Sequence, residues 1–325
     1  MFLSFQKVLS YVLLFSFFPN YFLFVYLKYG PYLFKGLIFL VSVLVLVGLG
    51  FSFLNYDIII LAGRYRGLLG NPNGLGLFLY LFIILFAIIN ERFPHVFSKA
   101  EIYFVYGICF ISLLKCGARS SLLAVMMFFF FKRFYKLSPI LGFFIFLITL
   151  FIYQLVSQNL VDIILALGLG DQLRVNTIES GSGRLIAWEF AWQKIQDNFY
   201  IGNGFNYTEY IYRQNYEYLS KLGHQGSAHN SYLTIWLDTG LIGLLCFLMG
   251  LLFMFLKAAK RSTLAIPFLY TVLFSNYFES WLTASLNPFT IQFLLIVSML
   301  FLPLNEDEFH TSEPVRDDEM LKKIA

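Results

Sequence analysis

The chain has 325 residues, of which 59% are hydrophobic and 13% charged, with a net charge of +4 and a mean hydropathy of +0.72. Soluble domains carry roughly twice this charged fraction, so a water-facing globule is excluded, and the small net charge leaves no basic patch of the kind nucleic acid requires. The apolar excess, with 40 Phe and 21 Tyr, suits a bilayer with aromatic side chains at its interfaces.

In chain order, apolar runs long enough to cross a bilayer fall near 8–27, 36–55, 74–90, 101–115, 117–131, 138–157, 230–256, 263–282 and 286–303. A span needs about 20 such residues, with latitude for short or tilted helices. The expected fold class is an all-α integral membrane protein with about nine transmembrane helices (eight to ten) and one long extracytoplasmic loop. The organisation is 1–157 for the N-terminal transmembrane helices, 158–229 for the loop, 230–303 for the C-terminal transmembrane helices and 304–325 for an acidic cytoplasmic tail. Pro19, Pro267 and Pro288 fall inside spans, where they are kink points. Lys7 precedes a long apolar stretch without a small-residue cleavage site, so the first helix is expected to be retained. No period of 20–50 residues appears, which excludes a repeat architecture. Cys109, Cys116 and Cys246 all lie in apolar runs and read as buried thiols, not as a disulfide framework or metal site.

Orientation follows from Lys and Arg in the short loops. One face carries Lys28, Lys35, Arg92, Lys99, Lys132, Arg133, Lys136, Lys257, Lys260 and Arg261; the other carries Lys7, Arg64, Arg66, Lys115 and Arg119. The richer face is expected to be cytoplasmic, which puts the 158–229 loop and the N-terminus outside. Within the loop, 159–170 is apolar but too short to span, and reads as an interfacial or re-entrant segment. Residues 184–198 read as an amphipathic helix, with Leu185, Trp188, Trp192 and Ile195 on one apolar face and Arg184 in the first turn.

Four polar clusters gather at the outer boundary: Arg64 to Asn73, Gly117 to Leu123, Gly183-Arg184 with Trp188, and His224 to Ser231. Singly, each has a structural reading, since arginines at helix ends snorkel to headgroups and an Asn-Pro-Asn turn starts a helix. Their convergence on the face that disfavours cations is the signal. Asn230 or Ser231 can cap the seventh span. If that helix is continuous, Gly240 shares the face of His229, about 16 Å deeper at 1.5 Å per residue. Gly240 and Gly243 then form a small-residue stripe for another helix. Asp238 and Glu279 are acids in or near spans, where a charge is expensive. Asp238-Thr239-Gly240 spells a protease tripeptide, which a single copy in an apolar helix discounts. Asn206-Tyr-Thr208 is a glycosylation sequon by pattern only. No P-loop, dinucleotide fingerprint or zinc spacing occurs, so no cofactor and no metal are expected. Arginine forks match phosphate oxygens and can neutralise a diphosphate leaving group. A neutral His at a helix N-terminus can act as general base for a hydroxyl acceptor.

These pieces, in this order, resemble the O-antigen polymerase/O-antigen ligase family of bacterial envelope glycan enzymes. The matching residues are Arg66-Gly67 with Gly70-Asn-Pro-Asn73, Arg119-Ser-Ser-Leu-Leu123, Gly183-Arg184 with Trp188, Ile201-Gly-Asn-Gly204, and His229-Asn-Ser-Tyr-Leu233 through Thr239-Gly-Leu-Ile-Gly243. The resemblance implies a multi-pass protein of the bacterial inner (plasma) membrane, with its active site facing the periplasm or exterior. It implies an undecaprenyl-diphosphate-linked oligosaccharide as substrate, with membrane lipid, a chain-length regulator and a flippase as partners. By this resemblance His229, Arg184 and Arg119 are catalytic. Arg64, Arg66, Asn73, Asn230, Trp188 and Glu279 are assigned to substrate binding, and Gly240, Gly243 and Asp238 to structure. The expected reaction is polymerisation of lipid-linked repeat units for O-antigen, capsule or exopolysaccharide. The alternatives are O-antigen ligase or protein O-oligosaccharyltransferase and, from another class, a lipid-linked glycan flippase or transporter.

Overall fold

The computed structural model describes residues 2–53, 57–61, 63–135, 138, 140–152, 183–224, 226–283 and 287–302. The boundary near 157, the apolar segment 159–170 and the tail 304–325 lie outside the described residues. The structure is a helical bundle. Helices α1 (Phe2–Tyr29) and α2 (Tyr32–Phe53) are followed by a small antiparallel pair, β1 (Ile60–Leu61) and β2 (Arg64–Tyr65), in the register Ile60–Tyr65 and Leu61–Arg64. Next come α3 (Pro72–Arg92), α4 (Lys99–Cys116), α5 (Arg119–Tyr135) and α6 (Ile140–Ile152). The described part of the loop holds α7 (Arg184–Asp197), α8 (Tyr207–Gln214) and α9 (Tyr216–Lys221). The chain then forms α10 (Ser231–Ala259), α11 (Ala265–Phe278), a short 3-10 turn (Trp281–Thr283) and α12 (Pro288–Phe301).

Each predicted span meets a helix. Four of these helices, those starting at Phe2, Tyr32, Pro72 and Ser231, are long and apolar enough to cross a membrane by length and composition; α6, α11 and α12 are shorter and apolar. Helix α3 is buried along nearly its whole length and forms the central pillar, whereas α1 is peripheral. Phe17 and Tyr21 on α1 are each 67% exposed and Phe39 on α2 is 70% exposed. An apolar surface this continuous suits lipid, in which helices satisfy their own backbone hydrogen bonds.

Local chemistry explains the helix ends. Asn71 caps α3 by accepting from the Gly74 amide at 2.6 Å, ahead of Pro72 in the first turn. Ser98 and Glu101 form a capping box on α4. Pro288 opens α12 behind the Asn287 cap, and Pro267 lies in the first turn of α11. These two prolines therefore start helices instead of kinking them; Pro19 is inside α1.

Polar contacts define two ends of the bundle. At one end Lys7 Nζ donates to Asn206 Oδ1 (2.8 Å), the Tyr11 hydroxyl donates to the Leu282 carbonyl (3.2 Å), and Lys115 Nζ donates to Ser52 Oγ (2.8 Å). At the other end Lys35 pairs with Glu101 (3.2 Å), Lys132 pairs with Glu91, and Arg92 and Arg261 donate to the Leu302 and Phe301 carbonyls. These contacts place six of the short-loop cations: Lys7 and Lys115 at one end, and Lys35, Arg92, Lys132 and Arg261 at the other. They also bring the N-terminal end of α1 against the described part of the long loop.

Two expectations about helix faces are corrected. First, α10 is not continuous: Gly240 has φ 70° and ψ −178°. The loop 199–204 enters the break and satisfies its backbone. The Asn203 and Gly204 amides donate to the Leu237 and Asp238 carbonyls (3.0 and 2.8 Å), and the Leu241 and Ile242 amides donate to the Phe199 and Tyr200 carbonyls (2.9 and 3.2 Å). A Cβ on Gly240 would lie 2.2 Å from the Tyr200 oxygen, and one on Gly202 would lie 2.3 Å from the Gly240 nitrogen. Loop backbone, not another helix, fills the approach at Gly240. His229 precedes the Asn230 cap with φ 46°, so it shares no helical face with Gly240.

Second, α7 buries Ala187, Phe190, Ala191 and Ile195, while Leu185 is 59% and Trp192 45% exposed. The two alanines let α7 lie close to its neighbours, with the Tyr212 hydroxyl donating to the Ala187 carbonyl (2.5 Å). Trp192 instead packs edge-on against Trp236, centroids 5.5 Å apart. Cys109 and Cys116 are buried as expected; Cys246 is exposed, because it faces a groove beside α10.

Candidate active site

Glu279 is the hub. It ends α11 in extended conformation, at the end of the bundle where α3 and α10 begin. Its Oε1 accepts from Arg184 Nη2 (2.8 Å) and from Asn73 Nδ2 (3.3 Å), and its Oε2 faces His229 Nδ1 at 3.2 Å. A carboxylate offers only acceptors, so this contact puts a proton on Nδ1 and leaves the lone pair of the neutral ring on Nε2. The Glu279, Arg184 and His229 side chains are 18%, 22% and 34% exposed. They are shielded enough for strong electrostatics and open enough for a ligand.

Each partner is held by its own element. Arg184 is the first residue of α7, after Gly183 in left-handed conformation. A cation at the positive end of a helix gains nothing from the macrodipole; here it is balanced by Glu279 and sits 5.9 Å over the Phe278 ring. Asn230 Oδ1 accepts from the Tyr232 and Leu233 amides (2.9 and 3.1 Å), and the Asn230 amide donates to Ser280 Oγ (2.8 Å). Ser231 Oγ donates to Asn276 Oδ1 (2.5 Å), with Glu279 O 3.0 Å away. Trp188 Nε1 donates to the Ala228 carbonyl (2.9 Å), and its ring meets Tyr277 edge-on at 5.0 Å. The Nε2 edge of His229 lies beside Gly226, where a Cβ would come within 3.2 Å. His224 packs edge-on against His229, centroids 6.0 Å apart, with its Nε2 3.1 Å from the Ser227 carbonyl. Burial, and after it the neighbouring His229, push the His224 pKa below the usual imidazole value.

Arg64 reaches the hub through Asn73, donating to its Oδ1 (2.9 Å), and also donates to the Cys116 and Gly117 carbonyls (2.9 and 3.1 Å). It thereby satisfies orphan carbonyls at the end of α4. Arg66 donates to the Ile58 and Gly70 carbonyls (3.1 and 3.4 Å), fastening the hairpin to the turn before α3. Arg119 opens α5 at this same end and is exposed. Asp238 accepts from the Asn206 amide (2.8 Å) and from the Thr208 amide and hydroxyl (2.7 Å each), and so ties the loop to α10. Asn206 is 8% exposed, so the sequon belongs to a docked turn. Ser280, Asn276 and Gly226 are the supporting residues that sequence reasoning missed. The signal for the first two is the polar run Asn276 to Ser280 ending an apolar helix.

The fold and site define a multi-pass helical membrane protein with an arginine–carboxylate–histidine network at one end of its bundle. Residues 102–248 match the family model described as O-Antigen ligase, so this segment is similar to that family. The segment contains Arg119, Arg184, Trp188, His229, Asp238, Gly240 and Gly243; Arg64, Asn73 and Glu279 lie outside it. Neither curated proteins nor solved structures yield a match.

Proposed function

We propose that this protein polymerises undecaprenyl-diphosphate-linked oligosaccharide repeat units by metal-independent glycosyl transfer on the extracytoplasmic side of the bacterial inner membrane. The observation that carries this reading is the Arg184–Glu279–His229 chain of contacts. In the reaction an acceptor hydroxyl attacks the anomeric carbon of the donor sugar. Its proton passes to His229 Nε2. The bond from that carbon to the phosphate oxygen breaks, and the electron pair leaves with the diphosphate, whose charge Arg184 stabilises. Glu279 holds the His229 tautomer and aligns Arg184, and it stabilises the imidazolium once the proton arrives. Arg119, exposed at the same end, supplies a second cation for the diphosphate.

A ligase that moves finished chains to another acceptor uses the same donor chemistry, and the matching family model carries the description O-Antigen ligase. Deletion of the gene in its host, with lipid-linked intermediates resolved on a gel, separates the readings. Single repeats attached to the final carrier are the polymerase result. Full-length chains stranded on undecaprenyl diphosphate are the ligase result. Repeats trapped on the cytoplasmic leaflet reject both in favour of a transporter.

A further inference from the structure

Helix α10 changes its surroundings at the Gly240 break. Before it, from Ser231 to Thr239, no residue is exposed, and α7 and α8 pack against this stretch. After it Ile242, Leu245, Met249 and Phe253 are exposed apolar side chains. Helix α10 is long and apolar enough to cross a membrane. The break therefore marks the level at which the covering loop ends and the lipid-facing part of the helix begins.

The loop 199–204 sits at that level. The Tyr200 carbonyl accepts from the Ile242 amide (3.2 Å), which sets Tyr200 beside the first lipid-facing side chain of α10. Tyr200 and Ile201 form the tip of the loop and are 65% and 79% exposed. Turns in water favour Gly, Pro, Asn, Asp and Ser; this tip presents a tyrosine and an isoleucine. Its backbone, by contrast, is engaged. The Gly202, Asn203 and Gly204 amides donate to the Asn198, Leu237 and Asp238 carbonyls (2.8, 3.0 and 2.8 Å), and the Phe199 and Tyr200 carbonyls accept from Leu241 and Ile242. Asn198 Nδ2 closes the base of the loop on Asn203 Oδ1 (2.8 Å). A segment with paired backbone and exposed apolar side chains suits lipid better than water.

The flanks have the composition of a membrane interface. Behind the tip the Phe199 ring meets Trp236 at 5.0 Å and Trp192 at 6.4 Å, and Trp192 is exposed. Lys194 and Asp197, 4.0 Å apart, stand on the last turn of α7 just before the loop. Indole rings at headgroup level, with charges beyond them and apolar side chains below, are how interfacial segments anchor.

We propose that loop 199–204 is a membrane wedge. Tyr200 and Ile201 enter the leaflet on the site's side at the boundary of headgroups and acyl chains, and Trp192 lies among the headgroups. The loop follows α7 directly, so the wedge seats on the bilayer the helix whose first residue is Arg184. It also divides the labour within Ile201-Gly-Asn-Gly204: the glycines dock backbone into α10, and the isoleucine is the foot in the lipid. Nothing in the wedge depends on the transfer chemistry.

The test is a spin-label depth measurement on full-length protein in lipid nanodiscs. Ile201→Cys is labelled in a Cys246→Ser background, since Cys109 and Cys116 are buried. Ile242→Cys serves as the lipid reference, and Glu217→Cys, at an exposed position on α9, as the water reference. At position 201, as at 242, oxygen should relax the label more than a water-soluble nickel chelate does, with a depth of about 5–10 Å below the headgroups. Tyr200→Cys gives a second position with the same expected pattern. Adding Ile201→Asp should raise the chelate access of the Tyr200→Cys label to that of Glu217→Cys; the exposed Ile201 side chain packs against no core, so the fold survives the change. Chelate access at 201 equal to that at 217 overturns the proposal. So does a label at 201 shielded from both reagents, which is the signature of a protein partner, and so does a Tyr200→Cys label that ignores Ile201→Asp.

Discussion

Glu279→Gln is the sharpest perturbation of the proposed machinery, because it removes a charge and almost no volume. Two donors, from Arg184 and Asn73, converge on Oε1, so the amide oxygen of Gln must stay there. Its NH2 group then faces His229 Nδ1, where Oε2 stood at 3.2 Å. Two N–H groups cannot face each other, so the ring adopts the tautomer with its proton on Nε2 and loses the lone pair that would accept the acceptor proton. General base catalysis contributes about 10²–10⁴-fold, so kcat should fall by that factor, equivalent to about 2.7–5.4 kcal/mol of barrier. KM for the donor should change by less than about threefold, since a Gln oxygen still aligns Arg184. The assay is extension of a fluorescent lipid-diphosphate oligosaccharide by protein in nanodiscs, read as band intensity over time. A Glu279→Gln rate within threefold of wild type refutes the tautomer argument and leaves His229 without a role as base.

Other perturbations separate binding from scaffold. Arg184→Lys keeps the charge but loses the planar fork; transfer should drop at least tenfold, with Arg184→Ala lower still, while the amount of inserted protein is unchanged. Asp238→Asn turns an NH2 group towards the Asn206 amide and should cost about 1–3 kcal/mol, read as a lower unfolding temperature in detergent; an unchanged midpoint rejects Asp238 as the tie between loop and helix. His224 has its pKa lowered by burial, so the folded protein holds it neutral. The unfolded chain takes up its proton first as pH falls, and stability from this group is present above about pH 6.5 and lost below it. Thermal midpoints should therefore decline from pH 7 to pH 5, and His224→Asn should flatten that decline; identical profiles exclude the effect. Addition of EDTA should leave the transfer rate of purified protein unchanged, and loss of activity restored by a divalent cation would overturn the arginine-only mechanism.

Much of the fold was legible because membrane burial writes itself into long apolar runs. Each run from 8–27 to 286–303 meets a helix, and the contacts of Lys7 and Lys115 lie at one end of the bundle while those of Lys35, Arg92, Lys132 and Arg261 lie at the other. The helix faces were less legible. Leu185, Trp188, Trp192 and Ile195 have the right spacing for a buried stripe, but the small residues Ala187 and Ala191 decide which side of α7 can approach its neighbours. A hydrophobic period registers large side chains and is blind to close approach. The break at Gly240 was hidden for a related reason. Its hydrogen bonds come from residues 199–204, far away in sequence, and nothing local distinguishes a glycine that permits a neighbouring helix from one that admits a loop backbone.

At the site, the sequence marked Arg184, His229 and Glu279 separately, since charges at a membrane boundary stand out in an apolar chain. It could not mark Glu279 as their common partner, because that pairing joins residues 95 and 50 positions apart. Arg64 and Arg66 were assigned to substrate binding. Their bonds to the Cys116, Gly117, Ile58 and Gly70 carbonyls also secure helix ends and turns, a role that composition alone does not mark.

The most direct test of the central claim is reconstitution. Purified protein in nanodiscs is given a single lipid-diphosphate-linked repeat and no other acceptor, and products are resolved by gel while released lipid diphosphate is counted. The account predicts a ladder of multimers with one lipid diphosphate released per linkage, abolished by His229→Ala. Absence of both ladder and release, with the wild-type protein folded and the substrate bound, would contradict it.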